Sequence, residues 1–284
     1  MNEINEKNAI VGGTLYLVAT PIGNMSDLSE RALKVLTEVD FVAAEDTRNS
    51  GLMLSRLGIS KPMISYYEHN KAARGETIVA RLEAGESCAL ITDAGTPAIS
   101  DPGEDIVRLC AERNIPVTSI PGCCAAVTAL TLSAMNTRRF CFEGFLPVEK
   151  KERRERLDEV KNETRTMIFY EAPHKLRGTL DDLAETFGAE RKIALCRELT
   201  KLNEEVARTT LGEAVKIYAD REPRGEYVLV VDGASKTADE YPEDIAEHVA
   251  MLEAAGLSRM DAIKAAAKQR GVKKNDIYAA VAKK

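Results

Sequence analysis

Over its first half the chain alternates short apolar runs with amphipathic stretches. The runs are TLYLVA (14–19), DFVAAE (40–45), PMISYY (62–67), SCALIT (87–92) and IPVTSI (115–120). Between them, segments such as 26–38 and 104–113 repeat their apolar positions every three or four residues, the period of a helix with one buried face. Strands alternating with helices predict βαβ units and a largely parallel sheet. Such sheets bind ligands at the loops beyond the carboxyl ends of their strands.

From residue 139 the pattern changes. FCFEGFL (140–146), TMIFYE (166–171), KIALCRE (192–198), EVARTTL (205–211) and EYVLVVD (226–232) are apolar or alternating, with helical stretches at 149–161 and 173–187. This predicts a second α/β domain. The organisation read from the pattern is a frayed polar leader at 1–13, an N-terminal α/β domain at 14–137 and a second at 138–234. A small helical module at 240–284 follows the polar linker GASKTADEYPED (233–244). In the module a helix over 242–255 stops at Gly256. Ser258, with Asp261 three residues on, caps the next, which ends at Gly271. A last helix spans 275–282, and the pair around the Gly turn resembles a helix-turn-helix unit.

Charge sharpens this division. The whole chain carries a net −6, yet residues 256–284 hold eight Lys or Arg against Asp261 and Asp276, a net +6. A basic tail on an acidic body suits a polyanion, and it equally suits a solvated helical face. Six cysteines show no C-x-x-C spacing, and most sit in apolar runs, which fits free thiols in a reducing compartment and argues against a structural zinc. No apolar run reaches the roughly 20 residues of a membrane span.

Three loops carry the candidate chemistry. Ala19-Thr20-Pro21-Ile22-Gly23-Asn24 follows the first strand. No G-x-G-x-x-G follows a strand, so the dinucleotide fingerprint is missing. Thr92 to Gly103, TDAGTPAISDPG, is longer than the roughly 2–6 residues a strand-to-helix connection needs, and excess loop of this kind is a binding feature. Ile120-Pro121-Gly122-Cys123-Cys124-Ala125-Ala126 opens a helix with small residues, whose free N–H groups can face the same crevice.

ATPIGN, DAGTPAISDPG and PGCCAA stand where tetrapyrrole methylases have their three cofactor loops, and the chain resembles that superfamily. The resemblance implies two α/β domains of the tetrapyrrole methylase type with the cofactor cleft between them, plus the C-terminal helical module. It implies S-adenosylmethionine as cofactor. Pro21, Ala94, Gly95, Thr96, Ile99, Cys124 and Ala125 would touch it from the first domain, and Glu171 and Leu199 from the second. Asp93 suits its positive sulfonium. EDTR (45–48), His69-Asn70, YEAPHK (170–175), RELTK (197–201) and GEY (225–227) are similar to the branch that methylates a cytidine ribose 2′-hydroxyl in the decoding centre of 16S rRNA. That similarity covers Thr14 to Lys284. Cys123-Cys124 stands where Pro-Ser is more familiar, which changes polarity without removing a backbone donor. The branch implies 16S rRNA within the 30S subunit as partner, a homodimer, a cytoplasmic setting, and neither membrane nor metal.

The catalytic candidates are Arg48, Asp46, His69, Glu171 and Lys201. The planar fork of Arg48 suits phosphate or ribose. His69 reads as a general base or as a solvated turn histidine, and His174, after Pro173, as a helix-start or a site residue. His248, beside Glu247, reads as a surface position, and Tyr66-Tyr67 as core or as a stacking pair. Two other functions remain open: methylation of a tetrapyrrole or a diphthamide precursor, and a non-enzymatic rRNA-binding assembly factor. The basic tail with EDTR and RELTK argues against the first.

Overall fold

Short strands of three or four residues, the inner ones buried on both faces, build the first of two sheets. The computed structural model describes residues 8–235 and 242–282. Most of the expected leader (1–7), the middle of the expected linker (236–241) and Lys283-Lys284 lie outside the described residues. The chain forms two compact units, Met1–Lys161 with Arg165–Asp232, and Asn162–Thr164 with Gly233–Lys284.

In the larger unit, β1 (Leu15–Val18), α1 (Glu30–Glu38), β2 (Phe41–Ala44), α2 (Thr47–Arg56), β3 (Met63–Ser65), α3 (Lys71–Glu83), β4 (Cys88–Ile91), α4 (Glu104–Glu112), β5 (Val117–Ile120) and α5 (Ala125–Leu132) follow one another. The strands pair in parallel in the order β3-β2-β4-β1-β5. Continuous apolar strands such as FVAA and CALI are what a sheet covered on both sides requires. Val35, Leu36 and Leu54 cover one face, over Val18, Val42 and Ile91. Ile78, Leu82 and Ile106 cover the other, over Leu15, Phe41 and Leu90. This order sets β4, β1 and β5 side by side, so the three glycine- and proline-rich loops that follow them converge.

The second sheet is mixed. It uses β6 (Phe140–Phe145), α6 (Lys150–Val160), β7 (Thr166–Glu171), α7 (Leu176–Phe187), β8 (Lys192–Arg197), β9 (Glu205–Thr210), α8 (Leu211–Asp220) and β10 (Tyr227–Val231), ordered β6-β7-β10-β8-β9. Only β6 and β7 run parallel. One face packs Met167, Phe169, Leu195 and Leu229 on Leu157, Leu180, Leu183 and Leu211. The other face, with Ile168, Ala194, Cys196 and Val228, is covered by Ala126, Ala129 and Leu130 of α5. The sequence pattern groups α5 with the first domain, yet the helix packs on the second sheet. Its segment AAVTALTL has no polar stripe, and such a helix needs cover on more than one side.

The smaller unit holds α9 (Ile245–Ala254), α10 (Arg259–Arg270) and α11 (Lys274–Val281) around Val249, Ile263, Ala266 and Ile277. Ser258 Oγ accepts from Asp261 N–H at 3.2 Å, and Gly271 ends α10 in the left-handed conformation. His248 corrects the surface reading, for it is fully buried. Its Nδ1 accepts from Arg270 Nε at 3.0 Å, so the ring proton sits on Nε2, 2.8 Å from Gln269 Oε1. Residues 245, 248, 249 and 252 share one helix face, and the charge of Glu247 next door says nothing about it. Arg270, which also donates to Pro242 and Glu243 carbonyls, is structural. No helix among the described residues is long and apolar enough to cross a membrane.

Candidate active site

The three converging loops are stitched together by short-range bonds. Thr20 and Gly95 exchange backbone hydrogen bonds of 2.9 and 3.0 Å, tying the first loop to the second. Thr96 Oγ1 donates to the Cys123 carbonyl at 2.9 Å, tying the second to the third. A Cβ at Gly122 would lie 2.8 Å from the Cβ of Ala19, so the third loop sits against the first at a distance only glycine permits. Opposite them, the carboxyl ends of β7 and β8 and the start of β10 present Tyr170, Cys196, Leu199 and Val228. Tyr170 Oη accepts from Ala126 N–H at 3.1 Å, which fixes the ring against the start of α5. Burial pushes its phenol up to about 12.

Between these walls lies a crevice of about 580 Å³. Gly95, Cys196, Leu199 and Val228 are buried at its floor, and Asp93, Ala94, Ile99 and Phe145 are exposed around it. Of the residues expected to touch the cofactor, Asp93, Ala94, Gly95, Thr96, Ile99, Cys124, Ala125, Glu171 and Leu199 all line it. Pro21 does not. It is buried behind Ile22, which does.

The catalytic candidates divide. Glu171 and Lys201 line the crevice, whereas Arg48, Asp46 and His69 are absent from its lining. Asp46 caps α2 and accepts from Arg48 N–H at 2.8 Å and from its guanidinium at 2.7 Å. Those bonds pull its carboxyl down to about 2. The Arg48 side chain is 87% exposed, free to meet a ligand larger than the crevice. His69 is exposed in the turn before α3, edge-on to Tyr67 with ring centroids 6.2 Å apart, while Tyr66 is core. Glu171 is 4% exposed, and both its oxygens are engaged: Ala172 N–H donates to Oε1 at 2.8 Å and the Thr179 hydroxyl to Oε2. The geometry makes it a brace for the turn after β7. Lys201 Nζ donates to Glu198 at 2.8 Å and Glu226 at 2.7 Å. Burial pulls its ammonium down, but the two carboxylates outweigh that and hold it above the ordinary lysine value. Its loop is strained, with Glu198 and Thr200 in left-handed backbone, each worth about 1–3 kcal/mol.

Glu45 and Asp101 stand inside the EDTR and DAGTPAISDPG motifs but not among the candidate site residues, and both line the crevice. Burial raises the Glu45 carboxyl above its ordinary value, and the Asp101 and Asp93 carboxylates add to it. Burial likewise raises Asp101, against a hydrogen bond from Thr92. Asp93 accepts from Asn49 Nδ2 at 2.9 Å. Among the described residues no ion pair joins Glu45, Asp93 or Asp101 to a cation, so this wall is negative. Its signal was in the sequence: Glu45 opens EDTR at a strand end, and Asp101 sits in the overlong loop. His174, in the short turn Pro173–Lys175, makes no cap and lies exposed on the lining. Phe145 and Tyr170 complete an aromatic corner.

The family model for Tetrapyrrole (Corrin/Porphyrin) Methylases matches residues 14–215. Proteins called Ribosomal RNA small subunit methyltransferase I are similar over nearly the whole chain. The one from Synechocystis sp. is 43% identical over 94% of this chain and 96% of its own. The one from Escherichia coli O157:H7 is 44% identical over 94% and 93%, and that from Pseudomonas aeruginosa 45% over 94% and 95%. Two solved structures share the fold at low identity. Uroporphyrin-III-C-methyltransferase from Thermus thermophilus superposes with a TM-score of 0.54 at 20% identity, covering 77% of this chain and 94% of that one. A cobalt precorrin-4 methyltransferase gives 0.57 at 14%, covering 78% and 95%. With its three stitched loops, its crevice between two sheets and a family match over most of its length, this chain belongs to the tetrapyrrole (corrin/porphyrin) methylases.

Proposed function

We propose that this protein methylates the 2′-oxygen of a cytidine ribose in the decoding centre of 16S rRNA, acting on the small ribosomal subunit in the cytoplasm with S-adenosylmethionine as donor. The observation that carries the reading is the similarity to small-subunit rRNA methyltransferases over 94% of the chain, a span too long to leave out the basic helical module. The crevice fits the cofactor. S-adenosylmethionine is cationic at sulfur and at its amino group, and the unpaired charges of the lining, Glu45, Asp93 and Asp101, are carboxylates. When bound it supplies a methyl group activated by a positive sulfur.

Ala94, Gly95, Thr96, Ile99, Cys124, Ala125 and Leu199 hold it, with Pro21 supporting the wall from outside the lining and Glu171 bracing the turn after β7 from within it. The chain's contribution to rate is chiefly orientation, because holding reactants in line is worth effective molarities of about 10⁵–10⁸ M. A base that takes the 2′-proton adds roughly 10²–10⁴. Arg48, paired with Asp46 outside the lining, grips a phosphate of the acceptor. Lys201 holds the second-domain edge, and His69 in its exposed turn contacts RNA. The exposed lysines of α10 and α11 add phosphate contacts, and the enzyme works as a homodimer. The test is methyl transfer from labelled S-adenosylmethionine to purified unmodified small subunits, with the product nucleoside identified by mass spectrometry. A methyl on a base, or none on the subunit, refutes the reading.

A further inference from the structure

Strand β6 breaks its register as it reaches the crevice. Phe142 pairs with Ile168 and Phe145 with Tyr170, so three steps along β6 match two along β7, with the shift between Phe142 and Gly144. Side chains alternate along a strand, so three regular steps would put Phe142 and Phe145 on opposite faces. The bulge cancels that alternation. Glu143 is the extra residue, ion-paired to Arg156, and Gly144 adopts φ +64°, a left-handed conformation that glycine takes without a Cβ penalty. Without the shift Phe145 would follow Cys141 onto the face that packs against α6 and α7. With it, Phe145 stands on the Tyr170 face, lining the crevice, and is 56% exposed.

Burying a phenylalanine stabilises a fold, so a bulge that exposes one inside the candidate site needs another cause. The ring is also held. Its centroid is 5.6 Å from that of Tyr170 at 67°, and Tyr170 is flanked on its other contact by Phe142 at 5.0 Å and 71°. One edge-to-face contact occupies at most one face of Phe145, which leaves the other open to the crevice.

We infer that Phe145 is the stacking platform for the base of the nucleotide that accepts the methyl group, and that the Glu143-Gly144 bulge aims it. The inference rests on the rRNA reading above. Proteins that read unpaired RNA splay bases out and stack them on aromatic rings, because every base offers a π-face. The exposed position favours the acceptor over the cofactor. A base carried by a polymer enters from the open side, where Phe145 stands on the β6 edge of the lining, whereas the buried floor of Gly95, Cys196, Leu199 and Val228 suits the small molecule.

Kinetics on small subunits test it. Phe145→Ala raises KM for the subunit by about fivefold to 150-fold, with a smaller change in kcat and an unchanged calorimetric affinity for S-adenosylhomocysteine. Phe145→Tyr restores KM and Phe145→Leu, which keeps bulk without a ring, does not. Rescue by leucine, or an unchanged KM in the alanine variant, overturns the platform. The chain has no tryptophan, so Phe145→Trp adds a single indole that can be excited selectively over the tyrosines. Its emission stays unchanged on adding S-adenosylhomocysteine alone, and quenching there assigns the ring to the adenine and overturns the proposal. Wild-type transfer to subunits is measured alongside. Its absence overturns the rRNA reading and the platform with it, while normal transfer with no Phe145 effect overturns the platform alone.

Discussion

Gly122→Ala should spread the crevice from its frame. The added Cβ would stand 2.8 Å from Ala19 Cβ and 3.5 Å from the Ala19 carbonyl oxygen, against ordinary carbon contacts of about 3.5–4.0 Å. Neither side can rotate away. Ala19 is 3% exposed, its Cβ is fixed to the backbone, and Thr20 after it is held by the paired bonds to Gly95. The loops must therefore part by roughly 1 Å, an overpacking strain of about 1–3 kcal/mol. Cys123 is bonded to Thr96 and the next two residues line the crevice, so the displacement reaches the binding surface and cofactor affinity falls with stability. Ala19→Gly removes the atom that would be struck, and alone costs about 0.5–1 kcal/mol as a glycine at a strand end. Urea denaturation of the two single variants and the double gives the coupling, expected at about 1–2 kcal/mol in favour of the double. Calorimetry with S-adenosylhomocysteine should show affinity lost in Gly122→Ala and largely recovered in the double. Strictly additive losses would refute the argument, because the close approach would then not be what demands glycine.

Glu45 and Asp101 have carboxyls raised by burial, so the stability they contribute is full at low pH and is lost as pH rises through their raised values. A bound cation favours their charged forms, so cofactor affinity should climb with pH over that window. Glu45→Gln should flatten the climb, and a calorimetric pH profile identical to wild type would exclude the carboxylate wall. Arg48→Ala should leave the melting temperature and cofactor affinity unchanged, since the side chain is 87% exposed, yet cut methyl transfer to subunits about tenfold or more. Unaltered transfer would make the Asp46–Arg48 pair a helix cap alone. Replacing Lys264, Lys268, Lys273 and Lys274, all exposed, with alanine should lower the slope of log affinity for RNA against log salt by about 3. An unchanged slope would remove the helical module from the RNA contact.

Much of the site was legible because it depends on local signals that tertiary structure reinforces. Proline- and glycine-rich loops directly after buried strands mark the ligand end of a parallel sheet, and the strand order brings three of them together. Ten site residues named from those loops and the second-domain motifs, Lys201 among them, line one crevice. The capped start of the second module helix at Ser258 was equally local, whereas the first begins after an Asp244 cap rather than at the Pro242 that the sequence suggests. The partner of α5 was not, because an apolar helix states that it must be covered and never by which sheet.

What escaped the sequence is the direction of side chains whose neighbourhood is set at a distance. YEAPHK places Glu171 at a strand end where a catalytic carboxylate would stand. Only the fold brings Thr179, one helix later, to take its second oxygen and turn it into a brace. EDTR drew attention to its most polar pair, yet the exposed Arg48 satisfies Asp46 locally, and it is Glu45 before them, with no cation partner among the described residues, that meets the crevice. Parity misleads in the same way. Counting along FCFEGF puts Phe145 with the core-facing residues, and a single inserted position reverses that count. A glycine next to the last position of an aromatic strand is the trace such a reversal leaves, because the left-handed backbone at a bulge excludes most other residues. The glycine marks that a ring will be re-aimed. Only the register with β7 says that it is re-aimed into the crevice.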